Sequence, residues 1–512
     1  MCRRSGDTSD ATLVEAGKGT QMAVLVRGGL VLRDADAPAA RADILIEGER
    51  IVAVEPVLSV GPDTTVLDAR ERLVIPGLVN AHTHAHNHLA KGAIDGLPLE
   101  LWLGHLAARV VGRTPHEIYV GAALGAIEMA RTGTTCACEM AQILPWPTPE
   151  ALDAVAQAYA DVGLRASIAA QVTDLSVLHS LAGLAARVPV AVQAEIARQP
   201  PYPLAEVLAT LRDAAARWHG AAGGRLRFGV GPSIVHLCSD AFLKGLAALA
   251  TERGLDVQTH LCETKAEAVT AWRRYGRSAT AQLRALGLLG PRTLLAHSIW
   301  LDDADIAAIA EAGSTIAHNP ISNLKLGAGV APLLRLRERG CQVALGTDGS
   351  ASSDNQNLFG ALRLSALLPR VTTPDYARWP SAADAFRMAT LGGARAAGFE
   401  GHIGRIAPGY AADLVLLDLH ATYFHPLNDP IAQLVYCEVG SSVRTVLVAG
   451  RVIVEEGRVT TVDEAALLAE ADAIAARIQA SLDGPLALTR HLGPYLDAAY
   501  RELSAAPWPA AN

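Results

Sequence analysis

PGLVNAHTHAHNHLAKG, residues 76–92, joins an apolar β-like run to a group of histidines. His82 and His84 are two residues apart, so on a strand their side chains point to the same face and can bind one cation. The apolar residues before them indicate a buried strand, which disfavours the alternative of a surface histidine cluster. The segment therefore predicts a metal-binding strand end inside the protein.

Polar residues of similar chemistry end three more β-like runs. His260 closes LDVQTHL, Glu263 follows three residues later, His297 ends LLAH, and Asp348 lies in VALGTDG. Each signal is ambiguous alone, because a single histidine at a strand end is more often structural. Together they predict a shared site, since barrel enzymes hold their active sites at the carboxyl ends of the strands. Three imidazoles and one carboxylate suit zinc first, with iron, manganese or cobalt as alternatives.

Strand-like and helix-like segments alternate through the middle of the chain, which predicts an α/β protein with a closed (β/α)₈ barrel. The candidate strands end at His82 or His84, Glu139, Gln171, Pro232, His260, His297, His318 and Asp348. The stretch 173–225 is too long for an ordinary loop. It contains the helix-like run PLAEVLATLRDAAARW, and we expect it to form a lid or wall beside the barrel mouth.

The two ends of the chain have a different texture, with short alternating runs and glycine-bearing turns. We expect residues 22–75 and 408–462 to form one composite β-sandwich and residues 76–407 to form the barrel. Residues 1–21 read as a flexible tail, and Met22 is an alternative start. Residues 463–512 read as a C-terminal helical extension, whose amphipathic stretch 463–482 is expected to dock on the protein.

Composition excludes several classes of protein. Of the 512 residues, 50% are hydrophobic and 19% are charged, which rules out a disordered chain. The formal net charge of −8 argues against nucleic acid or an anionic membrane as a partner. No apolar run is long enough for a membrane span, and no signal peptide is evident. Seven cysteines without disulfide-like spacing favour a reduced, cytoplasmic location.

Five ordered motifs carry a resemblance to a known family: PGLVNAHTH, HLCET, AHS, HNPISNLKLGAG and LGTDG. Together they resemble the amidohydrolase superfamily, most closely its ATZ/TRZ-like, cytosine-deaminase-related branch, from about Met22 to Val462. The resemblance implies that a metal ion is held by His82, His84, His260 and Asp348. It also implies that His297 contacts the attacking water or the developing oxyanion, and that Glu263 shuttles protons to the leaving nitrogen.

The resemblance also bears on the metal count. A related subclass bridges two metals through a carbamylated lysine at the end of strand four, but none of the five lysines lies in 226–233. One divalent ion per chain is therefore expected. A homo-oligomer, most simply a dimer, is implied by the resemblance alone.

General chemistry completes the expected mechanism. A divalent ion lowers the pKa of water from about 15.7 to about 7. Asp348 then takes the proton of the water, His297 stabilises the tetrahedral species, and Glu263 protonates the departing amine, a role that contributes about 10²–10⁴-fold. The G-x-S-x-G elbow and the H-x-E…P-C-x-x-C signature are both absent, so covalent hydrolysis and the other zinc deaminase class are unsupported.

Six further residues are candidates for contacting a small-molecule substrate: His86, His88, Trp102, His236, Trp300 and Asn319. His86 and His88 extend the histidine alternation and either line the pocket or support the ligands. Trp102 and Trp300 either stack on a flat ring or form part of the wall. Asn319 lies at the end of strand seven, where it holds a loop or touches substrate.

Two reactions share this machinery. The first is deamination of a nitrogen heterocycle such as a pterin, purine base, pyrimidine or triazine. The alternative is hydrolysis of an open-chain amide, urea or carbamate that releases an amine. Nucleoside-deaminating members of the branch carry a glutamate where this chain has Val111 or nearby apolar residues. They also carry a histidine where it has Ser233, with His236 three residues later, and both differences disfavour adenosine-type substrates. A barrel without metal that only binds partners is disfavoured, because all six expected polar positions are present.

Overall fold

The structure is a computed structural model that describes residues 23–198 and 202–508. The predicted tail 1–21 lies outside the described residues. Seventeen strands are β1 Ala23–Val31, β2 Ala40–Glu47, β3 Arg50–Glu55, β4 Thr65–Asp68, β5 Arg72–Pro76, β6 Leu78–Thr83, β7 Thr134–Gln142, β8 Arg165–Val172, β9 Leu226–Pro232, β10 Asp256–Leu261, β11 Thr293–His297, β12 Thr315–His318, β13 Gln342–Leu345, β14 Leu414–Asp418, β15 Val443–Val448, β16 Arg451–Glu455 and β17 Arg458–Val459.

The same parts of the chain contain nineteen α-helices and several shorter turns of helix. The α-helices are α1 Leu99–Val110, α2 Pro115–Arg131, α3 Pro149–Val162, α4 Leu184–Arg187, α5 Val190–Ile196, α6 Leu204–Trp218, α7 Ala221–Gly224, α8 Asp240–Arg253, α9 Lys265–Tyr275, α10 Ala279–Ala285, α11 Asp303–Ala312, α12 Pro320–Lys325, α13 Leu333–Glu338, α14 Leu358–Leu367, α15 Ala382–Arg387, α16 Gly393–Ala396, α17 Pro430–Tyr436, α18 Glu464–Ser481 and α19 Asp483–Ala505. The 3₁₀ helices are Ala85–Ala90, Val177–His179, Val235–Leu237, Leu368–Val371, Tyr376–Arg378 and Thr422–Phe424, and Met388–Gly392 is a π-helix.

Strands β6 to β13 form one parallel sheet of eight strands in sequence order. The sheet closes between its edge strands, where the Asp348 amide donates to the His82 carbonyl at 2.9 Å and the Thr347 amide donates to Asn80 Oδ1 at 3.0 Å. A Cβ at Gly346 would lie 2.3 Å from Asn319 Oδ1 and 2.9 Å from the His82 backbone, so this closure requires glycine. The predicted (β/α)₈ barrel is confirmed.

The second sheet has nine strands and takes them from both ends of the described chain. Its order is β17-β16-β15-β14-β5-β1-β2-β3, with β4 also paired to β1. Antiparallel pairing of β14 with β5, which sets Leu416 opposite Val74, joins the two ends. The predicted sandwich built from both chain ends is confirmed. The exact four-part division of the chain stays a prediction.

The long segment between β8 and β9 differs from its prediction. Helix α6 buries Val207, Leu211, Ala214 and Ala215 and packs against α3 and α8, so it is the ordinary crossover helix of the barrel rather than a lid. The wall is formed by the shorter stretch 173–198. Its residues Leu184 and Val188 belong to an apolar cluster shared with α9 and α19.

The C-terminal helices dock on the barrel. Helix α18, close to the predicted 463–482, packs against α2, and α19 packs against α1 and α9. Thr489 Oγ1 donates to the Gly104 carbonyl at 2.9 Å and fixes α19 to α1. Within the described ranges, no helix has the length and apolar character needed to cross a membrane.

Candidate metal and active site

Two histidine side chains meet at the mouth of the barrel. His84 Nδ1 donates to the Met140 carbonyl at 2.6 Å, and His260 Nδ1 donates to the Ser233 carbonyl at 2.8 Å. Each ring therefore keeps a lone pair on Nε2, and the two Nε2 atoms are 3.2 Å apart. Two lone pairs at this distance repel each other unless a cation lies between them. The pair has the orientation of metal ligands.

His82 and Asp348 complete the same cluster. His82 is 1% exposed, and its Nε2 has no hydrogen-bond partner among the described residues. Asp348 Oδ1 lies 3.5 Å from His82 Nε2 and 3.6 Å from His84 Nε2. Ligands about 2.0–2.1 Å from a tetrahedral zinc ion are separated by roughly 3.3 Å. The four predicted ligands therefore fit one divalent cation.

The protonation states suit metal binding, which requires neutral imidazoles and an ionised carboxylate. Burial lowers the pKa of His84 to about 4 and the pKa of His260 well below its usual value. Burial alone would raise the pKa of Asp348, but contact with His82 and the nearby His297 hold it well below its usual value. At neutral pH, His84 and His260 therefore present lone-pair nitrogens, and Asp348 presents an anionic oxygen.

Unusual backbone conformations aim two of the site residues. His297 has φ +68° and Asp348 has φ +66°, a region that costs non-glycine residues about 1–3 kcal/mol. Asp348 lies three residues beyond the end of β13, and its Oδ1 accepts a 2.6 Å hydrogen bond from the Gly349 amide. The barrel closure described above holds this conformation in place.

His297 and Glu263 lie beside the ligand cluster. His297 Nδ1 pairs with Asn323 Oδ1 at 2.8 Å, which leaves Nε2 directed into the site. That Nε2 is 3.5 Å from Glu263 Oε2 and 3.9 Å from Asp348 Oδ2. Burial lowers the pKa of His297 to about 4. Burial, reinforced by the charge of Asp348, raises the pKa of Glu263 well above its usual value.

Glu267 holds the backbone that presents Glu263. Its carboxylate accepts hydrogen bonds from the Cys262 amide at 3.1 Å and the Glu263 amide at 2.8 Å. Cys262 has φ +48°, so these bonds stabilise a bend directly after His260 and β10. The H-x-x-E motif is thus a strand end followed by a fixed turn.

A cavity of about 130 Å³ opens above these residues. Leu99, Trp102, Leu103 and Leu106 of α1 form an apolar wall. The remaining lining residues are His84, Asn87, Gln142, Gln171, Thr173, Ser233, Ile234, Leu237, His260, Glu263, His297, Leu326, Asp348, Gly349, Ala351 and Ser352. An apolar slot with a few polar groups suits a small flat molecule.

Three polar atoms of the residues that line this cavity have no hydrogen-bond partner in the described structure: Trp102 Nε1, Gln171 Oε1 and Glu263 Oε1. Gln171 Nε2 donates to Ser233 Oγ at 2.7 Å, so the free carbonyl oxygen of the side chain can accept a hydrogen bond from substrate. The sequence analysis placed Gln171 at a strand end but did not name it as a site residue. Its position at the carboxyl end of a barrel strand was the available signal.

Of the six predicted substrate contacts, Trp102 lines this cavity. His86 supports the ligand loop instead, because its Nδ1 pairs with Glu139 Oε1 at 2.5 Å and its Nε2 with the Gln142 carbonyl at 2.9 Å. Asn319 Nδ2 lies 3.4 Å from His297 Nδ1 and so borders that histidine from behind.

The other three predicted contacts are also placed elsewhere. His88 lies 3.7 Å from Glu128 near the surface, and His236 Nε2 pairs with the Ser180 carbonyl at 2.9 Å. Trp300 lines a second cavity next to the first. These residues surround the ligand cluster without lining the cavity above it.

Comparison with known proteins adds independent evidence. The Amidohydrolase family matches residues 73–453. A 5'-deoxyadenosine deaminase of Methanothermobacter thermautotrophicus is 37% identical over 439 residues, which cover 86% of this chain and 95% of that protein. A 5-methylthioadenosine/S-adenosylhomocysteine deaminase of Thermococcus kodakarensis is 37% identical over 436 residues, 84% of this chain and 94% of that protein.

Solved structures give the same result. An adenosine deaminase from Xanthomonas campestris with bound zinc has a TM-score of 0.79 and 29% identity, covering 89% of this chain and 98% of that chain. Atrazine chlorohydrolase TrzN from Arthrobacter aurescens, complexed with zinc, has a TM-score of 0.80 and 27% identity, covering 88% of this chain and 100% of that chain.

Proposed function

The chain belongs to the amidohydrolase family, and from that premise we propose that it deaminates the aminopurine ring of an adenosine-type nucleoside. It is a hydrolase of carbon–nitrogen bonds other than peptide bonds, with a site for a divalent metal ion. The observation that carries the proposal is the position of Glu263 and His297, whose facing atoms are 3.5 Å apart beside the ligand cluster and beneath an apolar slot.

The substrate class rests on the relatives and on the cavity. Two relatives of 37% identity are deaminases of adenosine-type compounds. Their names do not support the expectation, drawn from Val111 and Ser233, that such substrates are disfavoured. Val111 is 40% exposed and does not line the cavity, whereas Ser233 lines it and pairs with Gln171. A slot with Trp102 on one wall and Gln171 on another suits a planar base with polar edges.

We propose one zinc ion per chain, held by His82, His84, His260 and Asp348. The grouping of His82, His84 and His260, the 3.5 Å and 3.6 Å distances from Asp348 Oδ1 to His82 Nε2 and His84 Nε2, and the zinc-bound relatives support this choice. When bound, the ion supplies a Lewis acid that makes water nucleophilic at neutral pH. The three histidine nitrogens and the carboxylate would hold the ion.

The protein side chains then move the protons. Asp348 Oδ2 accepts the proton of the attacking water and passes it to His297 Nε2, which carries a lone pair and lies 3.9 Å away. The protonated ring then donates toward the oxygen on which charge develops. Burial, reinforced by the charge of Asp348, raises the pKa of Glu263 well above its usual value and so favours the protonated form, which delivers its proton to a ring nitrogen or to the departing ammonia.

Water exclusion assists these steps. Leu99, Leu103 and Leu106 cover one side of the cavity, and Leu326 covers another. In such a low-dielectric site, fixed hydrogen-bond donors stabilise developing charge more strongly than they would in water. The apolar wall therefore contributes to catalysis as well as to binding.

The test is a substrate panel with two readouts, ammonia release and amine release. We expect ammonia from adenosine and 5'-deoxyadenosine, and neither ammonia nor amine from open-chain amides, ureas and carbamates. The variant Glu263→Gln should keep its metal and lose about 10²–10⁴-fold in kcat. Glu311→Gln, a change at an exposed carboxylate paired with Arg284, is the control and should retain full activity. Amine release without ammonia release would refute the proposal.

We also propose a homodimer in the cytoplasm. Val371 and Tyr376 are exposed apolar residues, 84% and 79% accessible, in one surface segment that a second copy could cover. The six described cysteines are all free, as expected in a reducing compartment. Light scattering of the purified protein should give twice the mass of 53.6 kDa, and a monomer mass would contradict the dimer.

A further inference from the structure

A second cavity borders the first at the barrel mouth. It is lined by Pro98, Glu100, Thr264, Lys265, Trp300, Leu326, Gly327, Ala328, Tyr500 and Ser504. Leu326 lines both cavities. Leu99 and Glu263 line the first cavity, and the residues that follow them in the chain, Glu100 and Thr264, line the second. A molecule whose reactive ring occupies the first cavity can therefore extend into the second.

Glu100 is the carboxylic acid among the residues that line this second cavity, which also include Lys265. Its Oε1 accepts a hydrogen bond from Thr264 Oγ1, next to Glu263. Its Oε2 is buried and has no hydrogen-bond partner among the described residues. A buried carboxyl oxygen without a partner is costly unless a ligand satisfies it.

Hydroxyl groups and an aromatic face surround Glu100. Tyr500 and Ser504 are four residues apart on α19 and both line the cavity. The indole of Trp300 is held by a 2.8 Å hydrogen bond from Nε1 to the Ala328 carbonyl, and Lys265 Nζ lies 5.8 Å from the ring centroid. Carboxyl and hydroxyl groups beside an aromatic face are the surroundings that polyhydroxylated groups require.

Helix α19 lies outside the residues that match the family, which end at 453. It is nevertheless firmly docked, since Leu492, Leu496 and Leu503 are buried in a cluster with Val269 of α9. The C-terminal extension therefore supplies fixed side chains to the wall of this cavity.

We infer that the second cavity is a subsite that binds the hydroxyl-bearing, sugar-like substituent of the substrate, with Glu100 as the hydrogen-bond acceptor and α19 as the wall. This inference rests on the proposed function. A sugar hydroxyl donates to Glu100 Oε2, and Tyr500 and Ser504 contribute further hydrogen bonds. The free carboxyl oxygen is thereby satisfied only when substrate is bound.

The experiment compares adenosine with 2',3'-dideoxyadenosine in the zinc-loaded enzyme. We expect wild type to lose about 10- to 100-fold in kcat/KM when both hydroxyls are removed from the substrate. Glu100→Gln should lose a similar factor with adenosine and little with the dideoxy compound, because the same hydrogen bond is already missing. Tyr500→Phe should show the same pattern more weakly. Glu502→Gln, on the same helix but paired with the surface residues Arg187 and Arg273, should match wild type.

The outcomes separate this inference from the proposed function. Equal losses with both substrates in Glu100→Gln would assign Glu100 a purely structural role and overturn the subsite while deamination stands. Equal wild-type activity on both substrates would do the same. If wild type releases ammonia from neither compound, the proposed function fails and the subsite falls with it.

Discussion

Replacement of Glu139 by glutamine should destabilise the protein and weaken metal binding together. Glu139 is fully buried at the end of β7, where Oε1 pairs with His86 Nδ1 at 2.5 Å and Oε2 accepts from Tyr159 at 2.6 Å and from the Ala85 amide at 3.0 Å. On its other side, His86 Nε2 pairs with the Gln142 carbonyl at 2.9 Å. Glutamine has one acceptor oxygen for three donors, and its amide group would face another donor.

The size of the effect follows from this arrangement. Removing the charge from one partner of a buried pair costs about 3–5 kcal/mol. For 512 residues, an unfolding entropy of about 2.1 cal/mol/K per residue gives roughly 1.1 kcal/mol/K. The midpoint of thermal unfolding should therefore fall by about 3–5 °C. Because residues 85–86 directly follow the ligand His84, metal affinity should also fall by about 10- to 100-fold.

Two assays measure these changes. Calorimetry in excess chelator gives the stability without the contribution of bound metal, and competition with a chromophoric chelator gives the metal affinity. Glu252→Gln, at an exposed carboxylate paired with Arg212, is the control and should change neither quantity.

The pH dependence has a definite sign. Burial alone would raise the pKa of Glu139, but the contact with His86, the hydrogen bond from Tyr159 and the nearby His84 together hold it below its usual value of 4.5 in the folded state. Its stabilisation is present above about pH 4.5 and is lost as the pH falls, so the difference between wild type and Glu139→Gln should shrink in acid. An unchanged midpoint together with unchanged metal affinity would refute the assigned role of Glu139.

Two further predictions concern residues that position the catalytic groups. Burial raises the pKa of Glu267 to about 7 from 4.5, so its contribution to stability is full below pH 4.5 and declines by up to about 3 kcal/mol as the pH rises to 7. Urea unfolding across this pH range should show a smaller decline of the unfolding free energy for Glu267→Gln than for wild type. The same dependence of the unfolding free energy on pH in both proteins would contradict the prediction. Asn323→Ala removes the hydrogen-bond partner of His297 Nδ1 and should lower kcat by about 10- to 100-fold, while KM and the metal content stay the same. Steady-state kinetics that match wild type would exclude a role of Asn323 in positioning His297.

Much of the architecture could be predicted, because strand ends and ligand chemistry are local patterns. The alternation of apolar runs and amphipathic segments predicted the barrel. The polar residue at the end of each run indicated which end of the barrel holds the site. His82, His84 and His260 lie together, and Asp348 lies beside His82 and His84, because the carboxyl ends of parallel strands meet at one edge; their role as the metal ligands stays a prediction.

The remaining features depend on contacts distant in sequence. No local pattern shows that Asp348 adopts φ +66° three residues beyond β13, because the barrel closure imposes that conformation. His86 pairs with Glu139, which is 53 residues away in sequence. His86 was predicted to contact substrate, but this pairing makes it a support for the loop that follows His84. Helix α6 was mistaken for a lid because an amphipathic pattern does not show which surface covers it.

The most direct test of the account is the zinc content of the purified enzyme after metal loading and gel filtration, measured by plasma mass spectrometry. Wild type and Glu263→Gln should each hold one zinc ion per chain. A double variant with His84→Gln and Asp348→Asn, shown by circular dichroism to be folded, should hold less than about a tenth of that amount. A full equivalent of zinc in the folded double variant, or two equivalents in wild type, would contradict the single site formed by these four side chains.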